Sequence, residues 1–190
     1  MKKIIFLGLS TCCLWACGSP SVKTSPSSAE FVSVDTLIDM QISLLDSVKP
    51  VVNKEIFVDG QTENQRIKYV DWGKELAIFR ELDISKAGLQ DNYSVTSPAP
   101  GVRLYTLKSG KNSVVQHLKI QFASGSSQIA RMEGVIAQNN YLYKSEKLLS
   151  LDFQTSDQNN VYLANYEIKT TKKILFGDEE IMQIHAKLIE

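Results

Sequence analysis

Apolar positions follow two different periods along this chain. Between residues 33 and 49, Val34, Leu37, Ile38, Leu45 and Val48 recur at helical spacing, with Ile42 and Leu44 flanking. That pattern is one face of a helix. Ser33 or Asp35 can cap its start, and Pro50 ends it. Asp35, Asp39 and Asp46 take the polar side, so the apolar face is expected to meet a core. A membrane-surface helix would be basic there. Residues 54–58 are a strand candidate, closed by the turn dipeptide Asp59-Gly60. A second helix is expected over about 62–82. Thr62-x-x-Gln65 has the form of a capping box, and Tyr69, Trp72, Leu76 and Phe79 share a face that Ile67, Val70, Ile78 and Leu82 widen. A Trp in that setting packs into a core.

From residue 93 the period falls to two. Val114, Gln116, Leu118, Ile120 and Phe122 alternate with Val115, His117, Lys119 and Gln121. Leu149, Leu151 and Phe153 share a face with Tyr141 and Tyr143. Tyr162, Ala164, Tyr166 and Ile168 form another set, and Met182, Ile184, Ala186 and Leu188 a fourth; strands are also read near 102–108 and 128–137. The links are short and turn-rich, as in Ser109-Gly-Lys-Asn112, Ala123-Ser-Gly-Ser126, Asn139-Asn140 and Gly177-Asp178. Short links join antiparallel neighbours. The expected fold class is therefore α+β, with two N-terminal helices packed on an antiparallel meander of about six strands, in one domain over residues 31–190. One sheet face would pack on the helices and the other would turn to solvent or a cavity.

The chain opens differently. Lys2 and Lys3 precede Ile4, Ile5, Phe6, Leu7, Gly8 and Leu9, the form of a secretory signal and too short to span a bilayer, which takes roughly 20 residues. The run ends Leu14-Trp15-Ala16-Cys17. This resembles the lipobox of bacterial lipoproteins, in which the signal is cut before the Cys and the Cys is acylated. The resemblance implies a signal peptide over residues 1–16 and a lipid anchor on Cys17. Two or three acyl chains would hold it almost permanently, since each buried CH₂ contributes about 0.8 kcal/mol. Residues 17–30, with five Ser and two Pro, read as a tether that spans about 20 Å as a coil and about 40 Å extended. Gly18 rather than Asp resembles lipoproteins released to the outer membrane. The segment after Cys17 has no acidic cluster of the kind that marks surface export in Bacteroidota. The periplasmic face is therefore favoured over the cell surface.

Composition bounds the function. The full chain carries 21 Lys+Arg, 21 Asp+Glu and 3 Cys in 190 residues. Cleavage after Ala16 removes Lys2 and Lys3 and no acid, leaving 19 against 21, a charge of −2. No basic excess points to nucleic acid. The only Cys left is the expected acylation site. His117 and His185 fall on polar faces of separate strands without metal-ligand spacing. Glu75, Glu81 and Asp83 are paired carboxylates of the kind glycosidases use, although any acidic helix offers such a pair. Ser109-Gly-Lys-Asn112 lacks the rest of a phosphate loop, no Gly-x-Ser-x-Gly elbow is present, and Lys172-Lys173 reads as a solvated strand end. The chain is expected to be non-enzymatic and to need no cofactor.

Two further resemblances bear on the setting. Asp35-Thr36-Leu37 and Asp46-Ser47-Val48 resemble the O-glycosylation motif of secreted Bacteroidota proteins, which implies Thr36 and Ser47 as acceptors on one polar helix face. Asp71-Trp-x-Lys-Glu-Leu76, Phe79, Asp83-Ile-Ser-Lys-Ala87 and Tyr93, with Leu142-Tyr143 and Tyr166-x-Ile168, resemble a pattern in uncharacterised lipoproteins of Bacteroidota. That likeness implies an envelope location and no activity. Ser85 stands where the pattern has Asn. Two functions stay open. One is a binding protein that encloses an apolar ligand between sheet and helices, in outline similar to the lipoprotein carriers and lipocalins of the envelope; its aromatic strand faces are Tyr141, Tyr143, Phe153, Tyr162 and Tyr166. The other is an accessory or scaffold lipoprotein that docks on an outer-membrane partner protein.

Overall fold

The computed structural model describes residues 31–156 and 160–189. The expected signal segment, Cys17 and the tether lie outside the described residues. The first element is α1 (Val34–Val48). Ser33 caps it, its hydroxyl oxygen accepting the Thr36 amide at 3.2 Å and so satisfying one orphan donor of the first turn. Lys49 closes it in the left-handed conformation (φ 54°), and its N–H donates to the Leu45 carbonyl at 2.8 Å. Val34, Ile38, Gln41 and Leu45 form the buried stripe.

Nine strands follow: β1 (Val51–Val58), β2 (Gln61–Ile67), β3 (Tyr93–Thr96), β4 (Val102–Leu107), β5 (Val115–Phe122), β6 (Ile129–Asn139), β7 (Tyr143–Thr155), β8 (Val161–Ile174) and β9 (Glu179–Ile189). They form one sheet in the order β2-β1-β9-β8-β7-β6-β5-β4-β3, and every pairing is antiparallel. Strands β3 to β9 run in sequence order, and the β1–β2 hairpin is added beside the last of them.

This corrects the expected fold class. Among the described residues the sheet has nine strands rather than about six, and no second long helix packs on it. Residues 61–67 are strand β2, not the start of a helix. The reason lies in the preceding turn. Asp59 and Gly60 both have positive φ, 46° and 91°, the geometry of a type I′ turn, which demands a strand on each side. The rest of the expected helix is one α turn, α2 (Trp72–Glu75), and a 3-10 turn over Ala77–Leu82. Leu76, Phe79 and Leu82 are spaced by three, which is the 3-10 period. Tyr69, expected on the same face, is exposed.

The register sorts the side chains into two faces. On the helix side, Tyr105, Leu118, Gly134, Leu149 and Ile168 lie opposite one another across five strands. The next row is Ile120, Met132, Leu151, Tyr166 and Ala186. Trp72, Leu76, Phe79, Leu82 and Ile84 pack on them together with the α1 stripe, all buried. Phe79 meets Tyr166 edge-to-face with centroids 6.0 Å apart. Gly134 makes room for the 3-10 turn, since a Cβ there would lie 2.2 Å from Leu82 Cδ2. Gln41 joins α1 to the sheet. Its Nε2 donates to the Val161 carbonyl at 3.1 Å and its Oε1 accepts the Leu163 amide at 2.8 Å, so a buried amide finds both its partners.

Candidate functional site

The face that no helix among the described residues covers carries the polar half of each strand's alternation. One row across it is Leu104, Lys119, Glu133, Ser150, Glu167 and His185. The next is Thr106, His117, Val135, Leu148, Lys169 and Gln183. All of these but the two β9 residues, His185 and Gln183, line a groove of about 610 Å³. Leu104, Val135 and Leu148 supply apolar contact, while His117, Lys119, Arg131, Glu133, Glu167 and Lys169 supply charge or hydrogen bonds.

Most of that charge is internally matched. Glu133 accepts Lys119 Nζ on one oxygen and Arg131 Nη2 on the other, each at 2.9 Å. Arg131 Nη1 also donates to Asp152, and Gln183 donates to Glu167 at 2.9 Å. Burial pushes the Glu133 carboxyl up, but the Lys119 and Arg131 hydrogen bonds and charges outweigh it and hold the group below its usual range. A carboxylate so neutralised is fixed as an anion, not poised to exchange a proton near neutrality. Chemically the groove offers shape, apolar contact and a lattice of donors and acceptors.

The residues singled out in the sequence do not converge. His117 on β5 and His185 on β9 are both exposed and four strands apart, roughly 19 Å at the usual strand spacing. Among the described residues no three His, Cys, Asp or Glu are grouped to hold a metal ion. Glu75, Glu81 and Asp83 each serve a separate contact. Glu75 pairs with Lys54 at 2.6 Å and accepts the Tyr166 hydroxyl. Glu81 pairs with Lys147 at 2.8 Å. Asp83 accepts the Asp35 amide at 2.8 Å and, on its other oxygen, the Ser85 amide and hydroxyl at 2.8 and 2.6 Å. Burial raises the Asp83 carboxyl, and those hydrogen bonds, with Lys86 nearby, bring it below its ordinary value. Thr36 and Ser47 are exposed on α1, roughly 16 Å apart along the axis. Of the five aromatics read as a ligand face, Phe153 and Tyr166 are buried in the core and Tyr141 stands exposed in a turn.

Two features escaped the sequence reading. Lys54 and Glu75 form an ion pair between the sheet and α2, with side chains 10% and 19% exposed. Burial, and then the bond to Glu75, keep the Tyr166 phenol protonated far above its ordinary range. The available signal was Lys54 itself, which shares its strand face with Val52 and Ile56. A smaller apolar pocket of about 190 Å³ opens between the end of α1 and the sheet, lined by Leu44, Leu45, Val48, Tyr162, Leu163 and Leu188 among others. No family model, no curated protein and no solved structure matches the chain. No helix among the described residues is long and apolar enough to cross a membrane.

Proposed function

We propose that this is a non-enzymatic lipoprotein, held by acyl chains on Cys17 at the periplasmic face of the outer membrane, that docks an envelope partner protein on the open face of its sheet. The observation that carries the reading is the contrast between the two faces. The helix-covered face is filled by buried side chains, whereas the open face has a groove of about 610 Å³ with apolar contacts inside a charged frame. A groove of that size lies in the range of binding sites, and an apolar centre within a polar rim is the anatomy of a protein interface. The lipobox-like Leu14-Trp15-Ala16-Cys17 supports the anchor. A photo-crosslinking side chain at Val135 or Leu148, activated in native membranes, tests the docking. One partner protein should be captured, and capture should be lost with Leu104→Glu. Recovery of monomer alone from both positions would refute it.

A second reading rests on the pocket at the end of α1. Its 190 Å³ and its Leu, Val and Tyr walls suit a short alkyl segment, in keeping with an apolar-ligand binder. An engineered apolar cavity of about 150 Å³ takes up a molecule as small as benzene. Native mass spectrometry of protein isolated from its own envelope separates the readings. A bound lipid lost with Leu163→Trp supports the binder, and a bare polypeptide mass counts against it.

A further inference from the structure

One end of the sheet carries an apolar tip that neither the groove nor the pocket uses. Four large side chains sit in two turns: Tyr141 and Leu142 between β6 and β7, and Leu175 and Phe176 between β8 and β9. Their exposures are 82%, 52%, 59% and 96%. The turns are joined, because the Leu175 amide donates to the Leu142 carbonyl at 3.0 Å. They also stand proud of the neighbouring strands. The Ala137 amide still donates to the Val114 carbonyl at 2.8 Å, and β6 continues for Gln138 and Asn139 beyond it. On the other side the Asp59 amide donates to the Ile181 carbonyl at 3.1 Å, and β9 begins two residues ahead of Ile181. Two residues of strand are about 7 Å. The tip is thus a stiff four-stranded finger ending in aromatic and aliphatic groups, convex rather than hollow.

We propose that this finger dips into the surface of the lipid bilayer, as a second, protein-borne membrane contact beside the anchor. The inference rests on the membrane location proposed above and not on the groove. An apolar tip projecting by about 7 Å matches the depth to which interfacial elements bury themselves in headgroups and upper acyl chains, and tyrosine at such a border is well placed. The tether is long enough. Phe31, where the described chain begins, packs on Tyr105 with ring centroids 5.1 Å apart. From the Tyr105 row, Phe176 lies eight residues along and four strands across, a diagonal of roughly 32 Å. Residues 17–30 extend to about 40 Å. Charge at the tip cancels, three against three: Lys172 lies opposite Glu180 and Lys173 opposite Glu179, while Lys144 stands beside Lys173 and Asp178 lies in the adjoining turn. Insertion is therefore hydrophobic, insensitive to salt and independent of anionic lipid.

The test uses the full chain, purified from its membrane and reconstituted into zwitterionic phosphatidylcholine vesicles. Phe176→Trp places an indole on the finger. Tyr69→Trp places one at the opposite end of the sheet, at a residue 90% exposed. With brominated acyl chains, emission from position 176 should shift blue and be quenched, at low and high salt alike, while position 69 stays unquenched. Adding Leu142→Ser and Leu175→Ser should bring position 176 down to the level of position 69. An unquenched position 176, equal quenching at both positions, or a chain that does not bind vesicles overturns the proposal. So does shielding of position 176 that depends on dimerisation in solution, or that arises in native membranes but not in lipid vesicles, which would mark a protein partner. Intact mass at Cys17 reads any failure of the anchor separately.

Discussion

Gly134→Ala tests the closest contact between helix layer and sheet. The new Cβ would lie 2.2 Å from Leu82 Cδ2, 2.8 Å from Cδ1 and 3.1 Å from Cγ. Leu82 is fully buried and packed among the core side chains, so it has no free volume to swing into. Forcing an extra methyl into such a site costs about 1–3 kcal/mol. Alanine is compatible with the backbone here, because Gly134 is not among the residues with positive φ. The reduced freedom of the unfolded chain then offsets about 0.4–1 kcal/mol. The net expectation is a loss of about 1–2 kcal/mol, or a fall in Tm of roughly 3–6 °C for a chain of this size. Urea unfolding followed by the emission of buried Trp72 measures it, with an unchanged slope showing that the native state is intact. Leu82→Ala alone should cost about 2–5 kcal/mol through its cavity. Combined with Gly134→Ala it should cost less than the sum, by about 1–3 kcal/mol, because the alanine methyl occupies part of that cavity. A neutral or stabilising Gly134→Ala that adds simply to Leu82→Ala would refute the reasoning.

Glu75→Leu leaves the Lys54 ammonium nearly buried without its partner and the Tyr166 hydroxyl without its acceptor, and should cost about 3 kcal/mol in urea unfolding; Lys54→Met combined with it should recover most of that loss. Asp83 has a carboxyl lowered from the ordinary 3.8 in the folded protein, so its contribution is complete above that value and is lost as pH falls through the lower folded one. Asp83→Asn should therefore destabilise by about 1.5–3 kcal/mol at neutral pH, with the difference from wild type vanishing in strong acid; a difference that persists there would contradict the assignment. The intact mass of the exported protein should equal polypeptide from Cys17 plus acyl chains plus glycan at Thr36 and Ser47, whereas polypeptide plus acyl chains alone would exclude the glycans.

What the sequence makes legible depends on how unevenly each strand's two faces are buried. Strands β5 to β8 are covered on one side only, so Leu118 and Ile120 alternate cleanly with His117 and Lys119, but the phase fails ahead of them: Val115, expected on the polar face, is buried and Val114 is exposed, because the register shifts between Val115 and His117. Strand β2 is an edge with neither face sealed. Gln61 to Asn64 are all exposed, and a polar edge of that kind carries no apolar alternation to read. Its only local signal is Asp59-Gly60, which specifies a hairpin through backbone geometry rather than through hydrophobicity. The expected second helix fails for a related reason. Spacings of three and four fit an α-helix, but Leu76, Phe79 and Leu82 keep strictly to three, and the tight approach to Gly134 is a contact between distant parts of the chain.

The groove was half legible. Alternation marks Lys119, Arg131 and Glu133 as facing away from the core, but their pairing depends on register, which is shifted at Val115/His117 and again at Asp152/Phe153. Such irregularities add residues to one strand only, so no sequence period reveals which charges meet. Gly134 connects the two faces. Its missing side chain seats Leu82 on the helix side, and its backbone lines the groove on the other. The lattice of Lys119, Glu133, Arg131 and Asp152 therefore rests on strand β6 where that strand is pinned from behind by the 3-10 turn. A partner of the kind proposed would meet donors and acceptors already held in place, with little ordering left to be done on binding. By the same logic, Gly134→Ala should weaken docking as well as folding, although residue 134 has no side chain in the groove.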